Sequence, residues 1–181
     1  WIKFFGALYD KSVAADKIFS KIETDYKKTL NLVKNSTQKP TVLAGDIFED
    51  KWYLPQGTSW GSQFIKDAKG NYLWSQTKGT GSLALSFETV FEKAKNADVW
   101  ITSGQFSSLD QMKKANPHYT QFQAFKNKKV YSFNRKKGEK GGVLYYELAP
   151  NRPDIVLKDM VKILHPDLLK NYNPYFFEQL K

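Results

Sequence analysis

A chain of 181 residues, with 41% hydrophobic and 25% charged residues, has the composition of one compact globular unit with a core of its own and is too apolar for disorder. It has no cysteine, which excludes disulfides, thiolate metal sites and a cysteine nucleophile; its two histidines, His118 and His165, lie too far apart to promise a histidine-built metal centre. The formal net charge of +10 favours anions, whether nucleic acid, acidic headgroups or an anionic small molecule. The lysines, however, are scattered and alternate with acids, as at Lys21-Ile22-Glu23 and Glu92-Lys93, a pattern that serves solubility more than nucleic-acid binding.

Trp1 to about Tyr9 reads as a short helix, and Ser12 as the N-cap of the next. From Val13 to Lys34 the apolar residues Ala15, Ile18, Phe19, Ile22, Tyr26, Leu30 and Val33 recur at steps of three and four, which predicts a long amphipathic helix. At 1.5 Å per residue it spans about 33 Å, the length of a small domain. Thr41–Gly45 reads as a buried strand, Lys51–Leu54 as a second extended segment, and Ser59 as the cap of a helix to about Ala68. Tyr72–Trp74 is short and extended, and the polar, Gly- and Thr-rich stretch from Ser75 to Gly81 is a surface loop.

Ser86 caps a helix to about Lys95, with Glu88 in the first turn, where the helix dipole favours a carboxylate. A strand follows at Ala97–Ile101, helices at Ser108–Ala115 and from Pro117 toward Phe125, and a strand at Lys129–Phe133. A helical segment surrounds Tyr145, an amphipathic helix runs from Pro153 to Leu164, His165 stands at its end, and the tail from Tyr172 is partly helical. Strands alternating with helices predict an α/β fold: three layers, a central and mostly parallel sheet, helices on both faces. No run approaches the ~20 apolar residues of a membrane helix.

No catalytic motif emerges: there is no nucleophile elbow, no phosphate-binding glycine loop and no His-Glu-x-x-His, and Gly138, Gly141 and Gly142 are spaced as a turn. Asp46, Glu49 and Asp50 form a small acidic cluster that reads as a solvated loop. In such sheets ligands bind at the carboxyl ends of the strands, which places Asp46–Ser59, Thr102–Ser107 and Asn134–Tyr146 around a site. Aromatic residues stand out in predicted loops: Trp52, Tyr53, Trp60, Trp74, Tyr145 and Tyr146, with Arg135, Lys136 and Arg152 in the same predicted region. Rings and cations together suit a bulky anionic ligand, although each ring by itself is more often a core residue.

The long helix and strand, followed by Trp52-Tyr53-Leu54-Pro55-Gln56-Gly57-Thr58-Ser59 opening a helix, form a recognisable order. Ser86-Phe87-Glu88 through Asp98-Val99-Trp100, and Arg152-Pro153-Asp154 through His165-Pro166, extend it. The chain resembles the C-terminal half of the periplasmic iron–siderophore, haem and cobalamin binding proteins of ABC importers. That resemblance implies two domains of unequal kind: residues 1–38 as a short helix and the long interlobe helix, and residues 39–181 as the C-terminal α/β lobe, the N-terminal lobe being absent. It implies ligand contacts at Trp52, Tyr53, Ser59, Trp60, Arg135, Tyr145, Tyr146 and Arg152, and a permease-docking carboxylate at Glu88. It further implies no enzymatic activity and no cofactor, a ferric chelate, haem or cobalamin as cargo, a membrane permease as partner, no nucleic acid, and a monomer. The implied location is periplasmic, with a lipid anchor upstream. A chelatase-like enzyme lobe or a basic nucleic-acid-binding domain are the alternatives of another class.

Overall fold

The computed structural model describes all residues, 1–181. Helices α1 (Ile2–Leu8) and α2 (Ser12–Val33) come first. Ser12 lies inside α2; the N-cap is Lys11, whose N–H bonds to the Gly6 carbonyl, so the expected serine cap is not made. The last turns of α2 pack through Tyr26, Leu30 and Val33 against the rest of the molecule. By contrast, α1 and the first turns of α2 leave Phe4, Phe5, Leu8, Val13 and Ile18 exposed.

After α2 the chain alternates: β1 (Thr41–Ala44), β2 (Asp46–Phe48), β3 (Lys51–Pro55), α3 (Trp60–Asp67), β4 (Asn71–Tyr72), β5 (Ser82–Leu85), α4 (Phe87–Ala94), β6 (Val99–Thr102), α5 (Leu109–Ala115), α6 (Gln123–Lys126), β7 (Val130–Ser132), α7 (Tyr145–Leu148), α8 (Pro153–Leu164) and β8 (Glu178–Gln179). The main sheet has the order β4-β1-β6-β7-β8. All its pairings are parallel except that of β8 with β7. The fold class is therefore the α/β architecture expected, with a central, mostly parallel sheet. Every residue of β6 is buried, as a strand covered on both faces requires.

Two features depart from the expected elements. β2, β3 and β5 form a separate antiparallel sheet; β2 falls where the sequence reads as loop, and β5 in a stretch to which the sequence assigns no element. The tail carries β8 instead of a helix. Asp159 of α8 organises it, accepting hydrogen bonds from the Tyr172 hydroxyl (2.6 Å) and the N–H groups of Tyr175 (2.9 Å) and Phe176 (2.7 Å). Phe176, Phe177 and Leu180 are thereby sunk into the core.

The sheets are joined by a buried aromatic cluster. Trp52 of β3 and Trp100 of β6 lie 5.3 Å apart, and Tyr119 and Phe122 complete the group. Each indole N–H has a buried acceptor: Trp52 Nε1 donates to Ala44 O (2.9 Å) and Trp100 Nε1 to Gly45 O (2.7 Å). Gly45, at φ +78°, turns the chain from one sheet into the other, and a Cβ there would collide with the Tyr53 backbone.

Candidate functional site at the strand ends

A cavity of about 520 Å³ opens at the carboxyl ends of β1 and β6, within the range that holds small ligands. Ala44, Gly45, Ile101 and Ser103 lie at the strand ends. Tyr53 and Pro55 of β3, with Thr80–Ser82, form one side; the start of α3, Ser59 to Gly61, forms another; Phe133, Tyr145 and Phe177 close a third. α3 runs from the cavity back to the start of β4, so its first turn faces the cavity. Ser59 caps α3, its Oγ accepting from Ser62 N (3.3 Å), and so the turn that carries Trp60 is fixed. Trp60 itself is 67% exposed at the rim and Tyr53 39%.

The far wall is also rigid. Tyr145 stacks on Phe133 with centroids 4.3 Å apart and meets Phe177 edge-on at 5.7 Å. Burial pushes its hydroxyl up to about 12, so it stays protonated and able to donate. The lining contains no charged side chain. What it offers is apolar and aromatic surface with the hydroxyls of Tyr53, Ser59, Thr80, Ser82, Ser103 and Tyr145.

The loop after β6 is held by buried polar contacts. Asp46 accepts from Thr102 Oγ1 (2.8 Å) and Ser103 Oγ (2.9 Å). Ser132 Oγ donates to Gly104 O (3.1 Å) and Asn134 Nδ2 to Phe106 O (2.8 Å). Burial raises the Asp46 carboxyl, and the hydroxyl donors oppose that rise. The acidic cluster expected on a solvated loop is thus divided: Asp46 is buried and structural, while Glu49 and Asp50 are exposed on the β2–β3 turn.

Of the residues expected at the site, Tyr53, Ser59, Trp60 and Tyr145 line one cavity. Trp52 does not: it is 0% exposed, because β3 alternates and Trp52 points to the core while Tyr53 points out. Trp74, read as an exposed ring, is buried as well. Tyr146 is 59% exposed and meets Phe133 edge-on at 5.5 Å, beside the cavity and not in its lining.

Arg152 faces elsewhere. It grips Asp154 through Nε (3.0 Å) and Nη2 (2.8 Å) and lines a different groove, of about 650 Å³, between α2, α8 and the tail. Lys28 and Lys158 share that groove. Arg135 is exposed, its backbone N–H is bonded to Phe176 O, and its charge acts on Tyr172 of the same groove. Cations and rings that sequence reasoning grouped together therefore lie in two places. Glu88 is exposed in the first turn of α4, where its own N–H and the Ser86 hydroxyl hold its carboxyl below the usual range. His165 ends α8 as expected, buried, with Nε2 on Ala68 O (2.9 Å).

Sequence reasoning placed the loop that holds Ser103 at the site without singling that residue out, and it missed Gly45, Phe133 and Phe177. Ser103, Gly45 and Phe133 each sit at or just past the end of a strand of the main sheet, the position from which such sites are built; Phe177 arrives only through the tail and left no local signal.

The chain matches the family model described as periplasmic binding protein over residues 1–136. It is 33% identical to an uncharacterised lipoprotein of Methanocaldococcus jannaschii over 98% of this chain and 41% of that protein. A second uncharacterised protein of the same organism is 29% identical over 94% of this chain and 50% of its own length. The chain thus spans about half the length of these relatives, or less. Among solved structures, the TroA-like periplasmic binding protein FepB of Veillonella parvula superposes with TM-score 0.73 at 17% identity, covering 99% of this chain and 60% of that one. IsdE of Staphylococcus aureus, complexed with heme, superposes with TM-score 0.62 at 15% identity, covering 91% of this chain and 62% of that one. Fold and family model agree: the chain belongs to the periplasmic binding protein family.

Proposed function

We propose that the chain is the C-terminal lobe of a solute-binding component of an ABC importer, and that it holds one face of an iron–siderophore-type chelate in the cavity at the strand ends. The observation that carries this reading is the lining: rings and hydroxyls on rigid elements, with no charged side chain. Such a surface suits a metal already wrapped in organic ligands, which presents flat apolar area and peripheral hydrogen-bonding groups. A bare cation would need several carboxylate or imidazole donors converging on it. Haem or cobalamin fits the same chemistry and is the second reading; the S. aureus IsdE structure contains heme in this fold.

The exposed apolar face of α1 and early α2 supports a preceding lobe packed there, with α2 as the stiff connector. The exposure of Glu88 in the first turn of α4, ionised, supports a docking role toward arginines of a permease. We place the protein outside the cytoplasm and held at a membrane by a lipid. The M. jannaschii relative named a lipoprotein supports this, and no helix is long and apolar enough to cross a membrane.

The test is tryptophan-fluorescence titration of the protein with ferric siderophores, haemin and cobalamin, Trp60 at the cavity rim being the reporter. Saturable quenching by one of them names the cargo. No response to any would remove the chelate reading.

A further inference from the structure

The edge of the sheet opposite the cavity is strongly basic. Lys34 ends α2, Lys39 precedes β1, Lys66 and Lys69 end α3 before β4, Lys95 ends α4 before β6, and Lys129 leads into β7. Because β1, β4, β6 and β7 run parallel, these positions share one edge of the sheet. Two shallow grooves run along it, of about 570 and 500 Å³, and Lys39 belongs to both.

None of the six lysines is within 4.0 Å of a carboxylate: the ion pairs of the molecule all lie elsewhere. Three carboxylates line the grooves, Asp67, Asp98 and Asp167, and none of them is ion-paired. Asp67 accepts from Tyr26 and Gln63, and Asp98 from the Thr41 hydroxyl and N–H. Six lysines against three aspartates leave the basal edge with an excess of positive charge.

We propose that this basal face is an electrostatic seat for an acidic phospholipid bilayer. The alternative polyanion is nucleic acid, and the composition of the face disfavours it. Both arginines of the chain lie outside it, so bidentate phosphate forks are absent, and no exposed aromatic ring stands among the lysines to stack a base. A broad set of flexible, strongly hydrated ammonium groups without directional partners matches the diffuse field of anionic headgroups. Since the cavity opens at the opposite edge of the same sheet, a lobe seated this way keeps its site clear of the lipid. The proposal concerns a surface remote from the cavity and stands or falls apart from the identity of the cargo.

The experiment is co-sedimentation of the protein with phosphatidylcholine vesicles and with vesicles of the same lipid containing phosphatidylglycerol, at low and high salt. The expected result is binding to the acidic vesicles only, reversed by salt as headgroup attraction is screened. Replacing Lys34, Lys39, Lys66 and Lys69 together by Glu should reduce binding at least about tenfold. The same charge change at Lys11, Lys17, Lys137 and Lys140 should reduce it much less, and Lys→Arg at the four basal positions should preserve it. Circular dichroism and thermal unfolding verify that each variant is folded. Equal binding to neutral vesicles, no binding to acidic ones, or equal loss in both Glu sets would overturn the proposal. So would tighter binding to duplex or single-stranded DNA than to acidic vesicles at the same salt.

Discussion

Trp52 and Tyr53 are neighbours in sequence and opposite in role. The pleat of β3 sends one ring into the cluster with Trp100 and the other toward the cavity rim. Their burial makes a pair of outcomes measurable by thermal or denaturant unfolding. Trp52→Ala opens a hole in the aromatic core and removes the ring whose N–H satisfies Ala44 O, and should cost about 3–5 kcal/mol. Trp60→Ala removes an exposed rim ring and should change stability by no more than about 0.5 kcal/mol. A reversed order would show that core and site are misassigned. The sequence marked both rings as notable, but it did not contain the register that separates them. An alternation of two residues in a short strand is ambiguous until its partner is known, and neither partner here, β2 nor β5, reads as a strand in the sequence.

At the scale of elements, the long helices and buried strands were legible because their periodicity and caps are local: α2, α3, α4 and α8 lie within a residue or two of where the pattern placed them. The tail was not, because what shapes it is Asp159, a residue of α8 that sits on an apolar helix and looked unremarkable. Asp159→Ala strips acceptors from Tyr172, Tyr175 and Phe176 at once. It should cost about 3 kcal/mol or more and release β8 and Phe177, which hydrogen exchange of the last residues would report.

His165 ties the end of α8 to Ala68 and to Ser36. Burial lowers its pKa from 6.5. In the folded chain the neutral ring persists where the unfolded chain already takes up a proton. The stability it provides is therefore full above about pH 6.5 and is lost as pH falls toward the folded pKa. The melting temperature should drop between about pH 7 and pH 5, and His165→Asn should flatten that slope whatever it does to the absolute value.

For the molecule as a whole, the lobe divides its work between two edges of one sheet. The carboxyl ends of the strands, braced by Asp46, Ser132 and Asn134, carry a neutral, ring-lined cavity; the amino ends carry unpaired lysines. The fold class and the location of the cavity were readable from strand–helix alternation alone. The chemistry of its lining was only half readable, since Arg135 and Arg152 are close to it in sequence yet neither lines it, and Arg152 turns to the groove beside α2 and α8. The central claim is that cargo sits in the strand-end cavity and not in that charged groove. Isothermal titration calorimetry with the chelate that quenches fluorescence decides it. Tyr53→Ala and Trp60→Ala should each weaken binding by about tenfold or more, as loss of a ring contact worth roughly 1.4 kcal/mol requires, while Lys28→Ala in the charged groove should leave it unchanged. Binding that survives both cavity variants and fails with Lys28→Ala would contradict the account.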